Sequence, residues 1–322
     1  MAAHNWTYDA DQIGILKNHT LSDELLRVSV GACKLLPFTT RVEGFGKHMG
    51  ETVNIPFVNR LPVPANPRLP ENVKIPIDKL TWGSHALTLV EFGRGVEATN
   101  LMMILNKFDV GDILQQALMD QMEESMDNAV GSIMVDPDHV KICAIPTSAT
   151  AMTFDTDGTP STPATSNLTF AHMGILSDYM TGDIHVPPYE GDNYVMVGTR
   201  KSFRGLKDDE VIQAFHMYLR MGDLFFKGEI GMVENFRLVE INREDALSNT
   251  AGSSTVLGEC VAFGRQAFAR VEAEPPHLRM EGNYQADFGR RQACAWYGVL
   301  EFGAWWPYSD DGKAKVVRVT SA

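Results

Sequence analysis

Residues Arg41 to Met134 constrain the fold more than any other stretch: two glycine-punctuated strand runs flank a proline-rich segment and lead into one long amphipathic helix. Gly50 to Val58 (GETVNIPFV) alternates apolar and polar residues, and Val73 to Ile77 (VKIPI) alternates again, as half-buried strands do. Between them NRLPVPANPRLPEN carries four prolines, which remove ladder donors and hold the backbone extended. A two-stranded arm is marginal in water on its own. The pattern therefore predicts an extended hairpin that lies on another molecule, and a second copy of the chain is the natural support.

The helix is predicted over 110–134. Ile113, Leu114, Ala117, Leu118, Met122, Met126, Ala129, Val130 and Ile133 recur at three- and four-residue spacing as one apolar stripe. Asp120, Glu123, Glu124 and Asp127 fall on or beside the other face, where a charged run reads first as solvated. Asp109 or Asp112 near the start complements the helix dipole. At 1.5 Å per residue the helix is roughly 37 Å long, enough to serve as the backbone of a domain.

The remaining elements follow from the same periodicities. A helical segment from Ser22 to Leu36, with Ser22 as N-cap, reads as an arm. His85 to Ala98 is a strand run whose Gly93 and Gly95 mark a bulge or a close backbone approach. Thr147 to Asn167 reads as a Ser/Thr/Pro/Ala-rich loop, followed by helices over Thr169 to Tyr179 and Lys207 to Leu219. Tyr194 to Gly198 reads as a buried strand, and Phe236 to Ile241, Val256 to Val271, Cys294 to Trp306 and Lys315 to Val319 supply further strand-forming runs, the last after the turn Asp310-Asp311-Gly312. The chain is predicted to be α+β with many long-range strand returns.

With 322 residues, 44% hydrophobic and 21% charged, the composition is that of an ordinary globular protein. A net charge of −13 argues against a generic nucleic-acid or anionic-membrane surface, which relies on clustered Lys and Arg. The opening MAAHNWTYDADQIG has no basic-then-apolar leader pattern, and no run approaches a membrane span, so neither export by that route nor a membrane partner is expected.

Motifs for catalysis fail on context. Gly93-Arg94-Gly95-Val96-Glu97-Ala98 fits GxGxxA, but no helix opens at the second glycine and no βαβ repeat follows. Asp155-Thr156-Asp157-Gly158 begins like a calcium loop and then lacks its later ligands. Gly252-Ser253-Ser254 is a turn and not a nucleophile elbow. The histidines and cysteines have no metal-ligand spacing. No catalytic residue, metal or cofactor is therefore expected. The basic run Arg200-Lys201-Ser202-Phe203-Arg204 suits an inter-subunit salt bridge better than nucleic-acid phosphates in so acidic a chain.

The blocks GETVNIPF, LTLVEFGRGVEATNLM, DILQQALMDQMEESMDNAV, VMVGTRKSFRGLKDD, GEIGMVENFRLVEI and GVLEFGAWW stand in the order used by tailed-phage major capsid proteins of the Hong Kong 97 fold. The chain resembles that family, in particular the branch of short-tailed phages related to coliphage N-four. The resemblance implies an N-terminal arm over 1–44, an extended loop over 45–85, and a peripheral domain over 86–169 with its spine helix at 110–134. It further implies an axial domain over 170–270 and C-terminal strands over 271–322 that return to the peripheral domain. The implied function is self-assembly into hexamers and pentamers of an icosahedral head in the virion, formed in the host cytoplasm around double-stranded DNA held without sequence-specific contacts. Because the chain shows no coiled-coil-like N-terminal segment, a separate scaffolding protein is implied, with a portal protein and a decoration or cement protein as further partners. Arg60, Arg68, Glu71 and Lys74 at the loop tip, Glu123 and Glu124 on the helix, and Arg200 and Arg204 are the candidate inter-subunit contacts. An encapsulin-like compartment shell of the same fold is the alternative.

Cys33, Cys143, Cys260 and Cys294 are widely separated in a chain long enough to need no stapling, so all are expected as free thiols. Thermal unfolding with and without reductant should coincide; a lower transition temperature in reductant would reveal a structural disulfide.

Overall fold

A computed structural model describes residues 33–43, 50–58, 61–106 apart from 62, 65 and 70, 109–213, 229–241, 243, 246–247, 259–282, 290–306 and 315–321. In chain order the first elements are β1 (Thr39–Arg41), β2 (Thr52–Val58), β3 (Trp82–Thr88), β4 (Val90–Thr99), α1 (Asn100–Leu105) and α2 (Val110–Val135). Next come β5 (Ile142–Ser148), β6 (Ala151–Asp155), α3 (Phe170–Asp178), β7 (Tyr194–Thr199), α4 (Arg204–Asp208), β8 (Glu229–Val233) and β9 (Phe236–Ile241). The last are β10 (Glu259–Phe263), β11 (Phe268–Gly282), β12 (Arg291–Ala304) and β13 (Val316–Thr320).

The larger sheet has the order β6-β5-β13-β10-β7-β9-β8, the smaller one β1-β11-β12-β4, and β2 pairs with β3 alone. The central strands β7 and β13 of the larger sheet are covered on both faces, which is why they read as continuous apolar runs and not as alternations. Val195, Val197, Val239, Ile241, Val261 and Phe263 face one core. The intervening Met196, Leu238, Cys260 and Ala262 face a second core, with Met173 and Leu176 of α3 and with Phe203 and Leu206. In the smaller sheet β11 and β12 form a long antiparallel pair whose register shifts between Glu272 and His277, where Pro275 and Pro276 cannot donate.

The α2 helix starts where Asp109 accepts the N–H groups of Gly111 and Asp112, at 2.9 and 3.4 Å, the arrangement that satisfies orphan donors at a helix start. Leu118, Met126 and Val130 of the predicted stripe, together with Met134 outside it, are buried in one core with Trp296, Leu300 and Phe302 of the smaller sheet and Val195 and Phe263 of the larger. Leu114 and Met122 are only half-buried, and Ala117 is exposed. A methyl group at Gly131 would fall on the carbonyl oxygen of Ala246, so the helix surface is cut back there to let that chain segment cross.

Several expectations are corrected. Residues 73–77 form no strand: Pro76 interrupts them, and Ile75 and Ile77 are 65% and 80% exposed. The partner of β2 is instead β3, in register from Thr52↔Thr88 to Val58↔Trp82. The run from His85 to Ala98 is two strands, because the chain leaves the β2–β3 hairpin at Leu89 and joins β12 as β4. Gly93 and Gly95 make no bulge; they permit close approach, since a methyl group at Gly93 would lie 2.9 Å from the Trp296 carbonyl oxygen. The expected loop over 147–167 contains β6, paired with β5. Helix from Lys207 onward begins earlier, as α4, breaks at Asp209 and resumes over 210–213, while 214–219 lie outside the described residues, as do 22–32 of the N-terminal segment and the turn at 310–312.

Asp127 is also corrected: it is not on a solvated face but 2% exposed. Its Oδ1 accepts the Leu35 N–H at 2.7 Å and that of Leu36 at 3.4 Å. The second half of α2 is covered from an additional side by the chain at 33–38, a neighbour that helical periodicity does not reveal.

Two outcomes follow for purified chain. Leu118→Ala should lower unfolding free energy by about 2–5 kcal/mol, through lost burial and a cavity; a change below that range would place the helix outside the core. Burial raises the Asp127 carboxyl above its ordinary value of 3.8, against the lowering effect of the Leu35 and Leu36 N–H groups and of Arg243. A raised acid pKa means stability is complete below the ordinary value and is lost as pH rises through the folded one. Asp127→Asn, which keeps an acceptor oxygen and no charge, should therefore flatten the fall of Tm with rising pH. Asp127→Ala should instead cost about 1–3 kcal/mol by orphaning a buried N–H.

Candidate functional site

Among the described residues no group of His, Cys, Asp and Glu is placed to hold a metal, and no helix is long and apolar enough to cross a membrane. The GxGxxA match runs along β4, where Gly93 pairs with Tyr297 and Gly95 with Ala295, so it has no phosphate-cradling turn. Asp155 and Asp157 cap their own loop: Asp155 Oδ2 accepts the Ser161 N–H at 2.6 Å and Asp157 Oδ1 that of Thr159 at 2.9 Å. His172, wholly buried on α3, is satisfied within the core, with Nε2 2.7 Å from the Ser148 carbonyl and Nδ1 accepting the Thr169 N–H.

The distinctive surface is the β2–β3 arm. At its root Val53, Ile55 and Leu87 pack on Ala269 and Val271 of β11, bordered by Val42, Leu89 and Trp305. This small core docks the hairpin on the smaller sheet. Beyond it the described residues between Leu61 and Thr81 form no ladder, and Leu61, Val63, Leu69, Val73, Ile75 and Ile77 are all exposed. Trp82, where the ladder begins, is 70% exposed. Water-facing apolar side chains in such a row mark a contact surface. The charges among them are also exposed: Arg68, whose N–H donates to Asn66 Oδ1 at 3.1 Å, Glu71 and Lys74. Arg60 lies outside the described residues.

The other predicted contacts stand on separate elements. Glu123 is exposed on α2, while Glu124 is half-buried, its Oε1 3.7 Å from Arg243 Nε. Arg243 also donates to the Glu124 carbonyl oxygen at 3.3 Å and to Asn128 Oδ1 at 3.0 Å, which holds it on the helix. Arg200 Nε donates to Glu240 Oε1 at 2.6 Å and Lys207 Nζ to Glu240 Oε2 at 2.6 Å, an ion pair within one chain. Burial works to raise the Glu240 carboxyl, but the Arg200 and Lys207 hydrogen bonds outweigh it and hold it below the usual range. Arg204 is exposed at the start of α4.

Sequence reasoning put the weight on charges at the tip and missed the apolar row between them. The signal was present in Val73, Ile75 and Ile77, spaced two apart, and was read as a half-buried strand face. A second exposed apolar set, Leu101, Ile104 and Leu105 on α1, was also missed; Leu101 and Ile104 line a surface depression with Arg290 and Arg291.

Solved structures share this architecture over the whole chain. The capsid asymmetric unit of cyanophage Pam1 aligns with a TM-score of 0.70 at 16% identity, covering 98% of this chain and 100% of that one. The acidic stable capsid structure of Helicobacter pylori bacteriophage KHP30 aligns with a TM-score of 0.68 at 12% identity, covering 99% of both chains. For the capsid of Ralstonia phage GP4 the values are 0.66, 13% and 98% of both. No family model and no curated protein matches the sequence. The chain therefore has the fold of phage capsid subunits.

Proposed function

We propose that this chain is the major capsid protein of a tailed phage, of the Hong Kong 97 type, which self-assembles into the hexamers and pentamers of an icosahedral head around double-stranded DNA. The observation that carries the reading is an exposed apolar arm on a chain that aligns end to end with capsid subunits. An arm that leaves its own body uncovered needs a surface on a neighbour, and head-to-tail contacts of that kind close into rings when the rotation permits. The role is structural and not enzymatic. In this reading residues 1–44 are the N-terminal arm and 45–85 the extended loop. The smaller sheet with α2 is the peripheral domain and the larger sheet the axial one. Pairing of β5, β6 and β13 within the larger sheet supports assigning them to the axial domain, in place of the peripheral assignment implied for 86–169 and 271–322.

The tip charges Arg68, Glu71 and Lys74, with Arg60, select the neighbour, and Glu123, Glu124 and Arg204 face other subunits or a scaffold. Arg200 contributes through the Glu240 pair it already makes. A separate scaffolding protein, a portal, a decoration or cement protein and packaged DNA are the proposed partners. The virion is the proposed location, with assembly in the host cytoplasm, and the short-tailed phages related to coliphage N-four are the proposed branch. A net charge of −13 suits a wall that confines DNA without gripping it.

Expression of the chain with its scaffold should give closed particles by electron microscopy. Replacing residues 61–81 by a short Gly/Ser turn should leave the Tm of the free subunit within experimental error and abolish particles, because the described residues of the segment are exposed and form no ladder. Arg68→Glu should lower particle yield more than subunit stability, since interface charge governs partner choice. Normal particles from the truncated chain would overturn this role for the arm.

A further inference from the structure

The ladder between β11 and β12 is interrupted between Glu272 and His277, and side chains join across the gap. Over that stretch β11 takes five steps, from Glu272 to His277, while its partners in β12 take three, from Leu300 to Tyr297. Two extra residues therefore bulge out where Pro275 and Pro276 have no N–H to donate. A methyl group at Gly298, opposite the bulge, would lie 2.9 Å from the Pro276 Cα, so β12 gives it room there. His277 Nδ1 lies 2.9 Å from the Pro275 carbonyl oxygen, which can only accept, so Nδ1 carries the proton. Nε2 lies 3.0 Å from Arg279 Nε, which can only donate, so Nε2 accepts. Arg279 Nη2 donates in turn to Glu274 Oε1 at 2.7 Å, and the guanidinium lies 4.3 Å over the Tyr297 ring. The chain of contacts from Pro275 through His277 and Arg279 back to Glu274 is complete only with a neutral imidazole.

We propose that Glu274, His277 and Arg279 form a proton-operated brace: neutral His277 holds the bulge of β11 at a fixed bend, and a second proton on its Nε2 releases Arg279 and lets the strand pair flex there. That proton removes the lone pair that accepts from Arg279 and sets an imidazolium 3.0 Å from a guanidinium. Glu274 Oε1, 3.5 Å from Nε2, then takes the imidazolium in place of Arg279. Tyr297 faces His277 across the strand pair, its hydroxyl hydrogen-bonded to Glu91 of β4, and Glu301 stands farther along the same face of β12. Imidazole is the side chain that ordinarily changes charge between about pH 5 and 8. Partly exposed ion pairs add little to global stability, so the effect of the proton is local to the bulge.

The bend has a consequence because the arm is seated on the same face of the sheet. Ala269 and Val271 pair with Gly303 and Glu301, and the extra residues lie in β11 alone, so Gly303, Glu301, Val299 and Tyr297 of β12 share one face. Val53, Ile55 and Leu87 of the arm pack at Ala269 and Val271, and the brace lies next along that face. Opening it uncouples the far half of the strand pair from the half that carries the arm.

The free subunit suffices for the test, so its outcome is independent of the capsid reading. In protein carrying isotope-labelled histidine, the nuclear magnetic resonance signal of the His277 ring, identified by its loss in His277→Gln, should show the Nδ1–H tautomer at about pH 8, the opposite of the form imidazole favours in water. Amide hydrogen exchange over 277–280 and 293–297, corrected for its intrinsic dependence on pH, should be about fivefold or more faster at about pH 5.5 than at about pH 8 in the wild type. In His277→Gln the two rates should agree. In His277→Lys, which fixes the positive charge, exchange should be fast at both pH values, with Tm unchanged in each variant. A ring protonated on Nε2 under the basic condition overturns the proposal, as does exchange independent of pH in the wild type. Acceleration that persists in His277→Gln overturns it too, by assigning the transition to another group such as Glu274.

Discussion

Burial of one stripe of α2, from Leu118 to Met134, against side chains of both sheets is the contact on which the described structure depends. The two sheets share no strand; this helix, the short chain at 33–38 and the direct edge contact of the Phe263 and Phe268 rings, 5.4 Å between centroids, join them in one core. Fully burying a Leu, Met or Val side chain contributes about 1.5–3 kcal/mol each, and several such residues recur along this face. Polar groups then set the position of what crosses the helix. Asp127 receives the Leu35 N–H, and Lys34 reaches the Glu240 carbonyl oxygen at 2.7 Å, so neighbouring residues are tied to the helix on one side and to the larger sheet on the other.

The same arrangement explains what could be read without coordinates. Local periodicity located α2 within a residue of its end, α3 at its start, and the strands β7 and β9, because these elements obey a single spacing over their length. It failed where a second neighbour or a missing one decides the outcome. Asp127 was assigned to solvent by residue type, and only the chain crossing at 33–38 makes its position internal. Val73 to Ile77 carry a strand pattern, yet nothing among the described residues offers them a ladder, and Pro76 removes a donor. Strand returns were legible as a tendency but not as pairings: that β13 lies between β5 and β10 is a fact about contacts between segments far apart in sequence, as in Val317 with Ile142 and Phe263 with Val316. For the candidate site, the arm as a whole was legible while the row of apolar side chains on it was misread, since alternation states that one side differs from the other and does not state which body covers it.

The charged contacts divide by where their partners are. Glu240 gathers Arg200 and Lys207 within the chain, and Glu272 sits between Arg41 and Arg270, at 3.3 and 2.9 Å, where β1 meets β11. Such pairs are partly exposed and add little to folding individually, but they fix the register of short segments such as the three-residue β1. Among the described residues no ion pair is made by Arg68, Glu71 or Lys74 of the arm, which is the division expected when one set orders the subunit and another is left to choose among neighbours.

The prolines of the arm carry a consequence for the life of the free subunit. A row of uncovered Val, Leu and Ile side chains is ordinarily a seed for amyloid, because identical segments stack strand on strand and every backbone donor finds an acceptor in the next copy. Prolines at positions 62, 64, 67, 70 and 76 break that stacking at intervals of two to six residues. Arms that meet in a crowded cell can therefore touch through their side chains and part again, without zipping into a fibril. Stickiness of this kind is reversible, and a newly made chain can hold its adhesive segment open to solvent at the high concentrations at which it is produced.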